Sequence, residues 1–180
     1  MGTNQPNQDV LFEKLMDQYG ESLIRLAYTY VRNHQVAEDI VQDVFLKAFE
    51  KLDKFRGESN YKTYLYRITI NRSYDYFRSW SYKNTLLTDK ITKIVKQEKS
   101  AELLVITKDE TSMLGEKILS LPVKYREVII LYYYSDYGID EIAFILGISP
   151  NTIKTRLRRG REKLKDYLER TEGEIYGTKG

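Results

Sequence analysis

The residues best equipped for chemistry lie in one run near the C-terminus. From Ser149 onward come Asn151, Thr152, Lys154, Thr155, Arg156, Arg158, Arg159, Arg161 and Lys163. Lysine and arginine grip phosphate oxygens, amides and hydroxyls pair with base edges, and a guanidinium can do both. Such a run recognises a nucleic acid and breaks no bonds. A second set mixes rings with cations: Tyr61, Lys62, Tyr64, Tyr66, Arg67, Arg72, Tyr74, Tyr76, Phe77, Arg78 and Trp80. Aromatic faces stack on unpaired bases while cations follow the backbone, which suits single-stranded DNA at about 1–3 kcal/mol per stacked base. A third set is acidic: Glu38, Asp39, Gln42, Asp43 and Glu50. Asp39 and Asp43 are four apart, so on a helix they are neighbours whose repulsion favours a positive partner.

Catalytic chemistry has little to work with. There is no cysteine, and His34 is the one histidine. Thiolate nucleophiles, disulfides and cysteine-based zinc sites are therefore excluded. A lone histidine beside carboxylates is a poor metal site, so neither a metal nor any cofactor is expected. No apolar run approaches the roughly 18 residues that span a bilayer. The polar start, Met1 to Gln8, lacks the order of a signal peptide, and Pro6 stands where a myristoylation signal wants Ser or Thr. A cytoplasmic protein is expected.

The elements that must position these residues read as helices. Phe12, Leu15, Tyr19, Leu23, Leu26 or Ala27, and Tyr30 recur at steps of three and four, predicting a helix from about Val10 to Val31. After a turn at Asn33-His34, Ala37, Ile40, Val41, Val44, Ala48 and Leu52 mark a second. A loop follows at Phe55 to Asn60, broken by Gly57, with Ser59 or Asn60 as a cap. A third helix runs from about Tyr61 to Trp80, with Tyr64, Leu65, Ile68, Asn71, Asp75 and Arg78 along one side. The pattern fades between about Ser81 and Thr111, which reads as a linker.

Periodicity then returns. Met113, Leu114, Ile118 and Leu121 give a short helix ended by Pro122, and Tyr125, Val128, Ile129, Tyr132 and Tyr133 give the next. Ile139, Ile142, Ala143 and Leu146 form another short helix. Gly147 supplies the left-handed residue that ends it, Ser149 caps its successor, and Pro150 fits a first helical position. The successor buries Ile153, Leu157, Gly160, Leu164 and Leu168 and turns its cations outward. A basic face alone would mark only a solvated helix. The glycine turn and cap at the right offset make this a helix-turn-helix, whose second helix enters the major groove.

The fold class is thus all-α: two small helical domains joined by a flexible linker. The expected division is a disordered tail over 1–8, a first domain over 9–80, the linker over 81–111, a second domain over 112–170 and a tail over 171–180. The 180 residues are 42% hydrophobic and 31% charged, a globular composition. Net charge is only +3, yet its distribution is informative. Acids lead ten to seven over residues 9–60 and eight to four over 101–150, while bases lead nine to three over 61–100 and eight to three over 151–170. Two basic blocks separated by acidic ones indicate two anionic contacts.

These motifs resemble, in order, those of the extracytoplasmic-function (ECF) sigma factors of bacterial RNA polymerase. Ala37-Glu38-Asp39-Ile40-Val41-Gln42-Asp43-Val44-Phe45-Leu46-Lys47-Ala48-Phe49 looks like their region 2.2. Phe55-Arg56-Gly57-Glu58, then Tyr64 to Asn71, Asp75 and Arg78, resemble regions 2.3 and 2.4. Leu121-Pro122, Arg126-Glu127-Val128, Glu141-Ile142-Ala143 and the stretch from Thr152 to Arg161 resemble region 4. Two positions depart from the family pattern: Tyr64 replaces a usual Trp, and Gly160 replaces a common Ala at about 1 kcal/mol of helix propensity.

The resemblance implies roles. Glu38, Asp39, Gln42, Asp43, Phe45 and Leu46 would dock on the β′ clamp helices of core RNA polymerase, with the β flap as a second contact. Arg56, Ser59, Asn60, Tyr61, Lys62, Arg67, Asn71, Asp75 and Arg78 would recognise and open the −10 element of promoter DNA. Ser149, Asn151, Thr152, Lys154, Thr155, Arg156, Arg158, Arg159 and Arg161 would read the −35 element. An anti-sigma factor, often membrane-bound, would cover these surfaces. A linker of about 30 residues spans at most about 100 Å at roughly 3.3 Å per residue. Two sites about two turns apart on DNA need only about 70 Å. Two other readings compete. An ordinary repressor or activator would bind operators without polymerase, and the Glu38–Ala48 motif and the aromatic-basic helix speak against it. A nucleic-acid enzyme would need a convergent His/Asp/Glu set, which the sequence lacks.

Overall fold

The computed structural model describes residues 5–51, 61–87 and 110–177, with side chains over 9–50, 61–79 and 114–170. Seven helices make up these stretches, and no strand occurs among the described residues. They are α1 (Gln5–Val31), α2 (His34–Lys51), α3 (Tyr61–Leu87), α4 (Glu110–Ser120), α5 (Val123–Tyr133), α6 (Ile139–Leu146) and α7 (Pro150–Gly177). They fall into two compact units, Met1–Glu98 and Lys99–Gly180.

In the first unit α1 packs on both α2 and α3, and α2 packs on α3. Leu23, Leu26, Ala27, Val44, Leu65 and Ile70 fill the centre, each at most 2% exposed. The α1–α2 corner is local chemistry. Arg32 takes a left-handed φ of 56°, its N–H returning to the Tyr28 carbonyl at 2.9 Å. The Asn33 side chain then accepts from the Val36 N–H at 3.0 Å and caps α2. His34 therefore opens the helix instead of sitting in a turn, 3.3 Å from Glu38.

The inner side of α3 is not the expected one. Leu65, Tyr66, Thr69, Ile70 and Ser73 are buried, while Tyr64 and Ile68 are half-buried and Asn71, Asp75 and Arg78 face solvent. Thr69 and Ser73 fit because each hydroxyl donates to the carbonyl four residues back, Leu65 at 2.8 Å and Thr69 at 2.7 Å. The buried oxygens are thereby satisfied within their own helix.

In the second unit α7 lies along α5 and also meets α4 and α6. Leu121, Val128, Leu131, Ile142 and Ile153 are at most 1% exposed. A methyl group at Gly160 would stand 3.2 Å from Ile129 Cγ1, so the glycine allows a close approach of α7 to α5. The α4–α5 turn is closed by Arg126, only 7% exposed, whose Nη2 donates to the Leu121 carbonyl at 3.1 Å.

Several boundaries and faces differ from those the sequence predicts. α1 begins at Gln5, inside the stretch expected to be a disordered tail; Pro6 sits in its first turn, where proline is tolerated. α3 continues past Trp80 to Leu87, and α7 continues to Gly177 through what reads as a tail. Tyr132 and Tyr133 share the period of the α5 core yet are 39% and 48% exposed, and Leu131 takes the buried position. The expected loop over 55–60 and most of the expected linker lie outside the described residues.

Candidate nucleic-acid interface

The helix-turn-helix is assembled from local hydrogen bonds. Gly138 N–H donates to Glu141 Oε2 at 2.8 Å, which starts α6. Gly147, at φ 66°, ends it, and the Ile148 N–H returns to the Ala143 carbonyl at 3.1 Å. A side chain at this φ would cost about 1–2 kcal/mol, which glycine avoids. Ser149 Oγ then accepts from the Thr152 N–H at 3.2 Å and caps α7.

Along α7, Ile153, Leu157 and Gly160 are buried and Leu164 and Leu168 half-buried. Asn151, Lys154, Thr155, Arg158, Arg159 and Arg161 face solvent with Ser149, and Thr152 is half-buried. Burying the apolar face orients the cations outward; no other force is needed. Thr155 Oγ1 donates to the Asn151 carbonyl at 2.9 Å, and Arg158 pairs with Glu162 at 2.6 Å.

Arg156 stands apart. Its Nη1 donates to Glu127 Oε1 at 2.8 Å, and the Glu127 side chain is 2% exposed against 25% for Arg156. It lies at the inner edge of the basic face, tied to α5. Sequence reasoning missed Glu127, whose partner is 29 residues away. It also missed Lys124 and Tyr125, which with residues of α7 line a cleft of about 360 Å³.

On α3, Arg67, Asn71, Asp75 and Arg78 are all exposed at steps of four, four and three, forming one outward stripe. Tyr76 and Phe77 beside it are 39% and 36% exposed. Tyr61 and Lys62 are half-buried, and Lys62 Nζ lies 5.9 Å from the centre of the Tyr66 ring. Desolvation holds the Tyr64 phenol above its ordinary pKa. Arg56, Ser59 and Asn60 lie outside the described residues.

On α2, Asp39, Gln42, Leu46 and Phe49 share one exposed face at steps of three, four and three, with Leu46 at 64% and Phe49 at 39%. Glu38 is half-buried beside His34. Asp43 is occupied from within: Lys47 Nζ lies 2.8 Å and Arg72 Nε 3.3 Å from its Oδ2. Phe45 belongs to the core at 4% exposed, its ring edge-on to Phe12 with centres 5.8 Å apart. Phe49, absent from the expected set, is the aromatic ring this face presents; the step from Leu46 would have found it. Among the described residues no group of three His, Cys, Asp or Glu side chains could hold a metal ion, and no helix is long and apolar enough to cross a membrane.

A helical unit bearing an acidic-apolar stripe and an aromatic-basic one, followed by a basic helix-turn-helix unit, has the build of a DNA-binding protein. Comparison with known proteins makes this specific. The sigma-70 region 2 model matches residues 15–81, and the sigma-70 region 4 model matches residues 112–164. The ECF RNA polymerase sigma factor SigW of Bacillus subtilis is 33% identical over 165 residues, covering 87% of this chain and 88% of that protein. The ECF RNA polymerase sigma-E factor of Escherichia coli K12 is 30% identical over 166 residues, covering 88% and 86%.

Two solved structures share the fold. The sigma factor RpoE of Bartonella quintana, in complex with the anti-sigma factor NepR, superposes with a TM-score of 0.73 at 26% identity, covering 88% of this chain and 96% of that one. CnrH, in complex with the cytosolic domain of CnrY, gives 0.64 at 25% identity, covering 88% and 87%. The chain belongs to the ECF family of RNA polymerase sigma factors. It directs promoter recognition and transcription initiation.

Proposed function

We propose that the two units divide promoter recognition between them. The α2 stripe of Asp39, Gln42, Leu46 and Phe49 docks on the β′ clamp helices of core RNA polymerase, and the second unit meets the β flap. The α3 stripe of Arg67, Asn71, Asp75 and Arg78, with Tyr61, Lys62 and the preceding Arg56, Ser59 and Asn60, takes the −10 element. Exposed Tyr76 and Phe77 extend that surface toward unpaired bases. α7 enters the major groove of the −35 element with Asn151, Thr152, Lys154, Thr155, Arg158, Arg159 and Arg161.

The chain contributes binding alone, and polymerase performs the chemistry. It works in the cytoplasm, where polymerase and promoter meet. An anti-sigma factor, often membrane-bound in this family, controls it by covering the same faces; the Bartonella quintana relative above is bound to an anti-sigma factor, NepR. The observation that carries this reading is α7 itself, capped by Ser149 and anchored through Ile153 and Leu157 with its cations outward. Run-off transcription on a genomic promoter library tests it. Purified chain plus core polymerase starts transcripts from a restricted promoter set, and neither component does so alone. Absence of chain-dependent transcripts across the library would refute it, as would tight operator binding that core polymerase leaves unchanged.

A further inference from the structure

The basic face of α7 does not end at α7. The cleft beside it is walled by Thr155, Arg156 and Arg159 from one side and by Lys124 and Tyr125, at the start of α5, from the other. No carboxylate lines it. Glu127 engages Arg156 from within the core, 2.8 Å from its Nη1. The first turn of α5 has no side-chain cap, so its positive end adds to the field in the cleft.

Tyr125 organises this corner. The residue is only 7% exposed, its Cβ packed toward Gly160, and it lines the cleft. The Arg159 guanidinium, which lines the same cleft, and the nearby ammonium groups of Lys124 and Lys163 hold its phenol below the ordinary pKa. Lys124 Nζ lies 5.1 Å from the centre of the same ring. One buried ring thus lies beside cations from two different helices. Two cations and a hydroxyl facing one small polar cleft match a tetrahedral oxyanion.

We propose that Lys124, Tyr125 and Arg159 form a clamp for a single backbone phosphate of the −35 duplex. The clamp rests on the reading of α7 as the −35 helix and adds α5 to the DNA-binding surface. Phosphate contacts fix register and carry no base information. The clamp therefore sets where α7 enters the groove, and the outward residues of α7 decide which bases it prefers.

The test uses the full chain with core polymerase on a promoter duplex in which each −35 phosphate is replaced in turn by an uncharged methylphosphonate. With wild-type chain, replacing the clamped phosphate weakens binding roughly tenfold. In Lys124→Ala that replacement has little further effect, while the other contacted phosphates keep theirs. The slope of log affinity against log salt falls by about one, and base preference is unchanged. Tyr125→Phe keeps the buried ring, removes the hydroxyl that shares the cleft with Arg159, and lowers sensitivity at the same phosphate. If both variants retain the full wild-type phosphate pattern, the clamp is refuted while the reading of α7 stands. If the wild-type complex is indifferent to every −35 base and phosphate, the reading of α7 fails and the clamp with it.

Discussion

Arg156→Ala tests whether the inner arginine of α7 is a structural residue before it is a reading residue. Its partner Glu127 is 2% exposed, whereas Arg156 keeps 25% exposure. Deleting the arginine takes a guanidinium from a carboxylate that water scarcely reaches. Deleting the carboxylate frees a guanidinium that can turn outward. Breaking a buried pair costs about 3–5 kcal/mol when a buried charge is left behind. The partial exposure of Arg156 screens the pair, so the lower end, about 3 kcal/mol, applies here. Glu127→Gln keeps the shape and loses the charge, at a cost of about 1 kcal/mol. The double variant Arg156→Ala/Glu127→Gln should be more stable than Arg156→Ala alone, because the buried carboxylate that lost Arg156 is then replaced by a neutral amide.

Hydrogen–deuterium exchange of the full chain reads this directly. About 3 kcal/mol corresponds to exchange accelerated by roughly a hundredfold in the α5 and α7 amides, with α1 to α3 as the internal reference. Unchanged exchange in α5 of Arg156→Ala would refute the reasoning, as would Glu127→Gln proving the more damaging variant. Loss of promoter activity in Arg156→Ala would mix lost structure with lost reading, so Lys154, fully on the outer face, is the cleaner probe of base contact.

Further substitutions at four positions follow from the structure. Phe45→Ala should cost about 3–5 kcal/mol and lower the thermal midpoint measured by circular dichroism. Leu46→Ala, at a position 64% exposed, should leave stability within about 0.5 kcal/mol and weaken capture of core polymerase. Gly147→Ala forces a side chain into φ 66° and should cost about 1–2 kcal/mol, read as faster exchange at the start of α7. Gly160→Ala gains about 1 kcal/mol of helix propensity but places a methyl 3.2 Å from Ile129, which is β-branched and 2% exposed. The two effects nearly cancel, leaving the midpoint within about 5 °C, whereas Gly160→Leu overpacks the crossing and should lose about 1–3 kcal/mol.

The turn and caps of the helix-turn-helix were legible because their signals are local. Gly147 and Ser149 serve as the caps the sequence predicts, and the alternation of Ile153, Leu157 and Gly160 with cations leaves one possible inner face. The face of α3 was not, because two core positions are hydroxyl residues that satisfy themselves on their own helix. An apolar count skips Thr69 and Ser73 and turns the predicted face toward Tyr64. Phe45 carries a docking role by resemblance, yet the neighbouring α1 supplies Phe12 to bury it, a contact that no spacing within α2 reveals. Glu127 is hidden for the same reason: its partner comes from a distant helix, and a carboxylate within an apolar run gives no hint of which cation will meet it. Helix ends were misjudged where polar sequence continues without a breaker, as beyond Trp80 in α3.

The division of labour between the two units is tested most directly by sequencing transcript 5′ ends from cells overexpressing the chain and, in parallel, its Lys154→Ala variant. Wild-type start sites should share two upstream sequence blocks about two helical turns apart, and the variant should relax base preference in the farther block alone. A single shared block, or a variant that alters the nearer block as much as the farther one, would contradict two separately reading units.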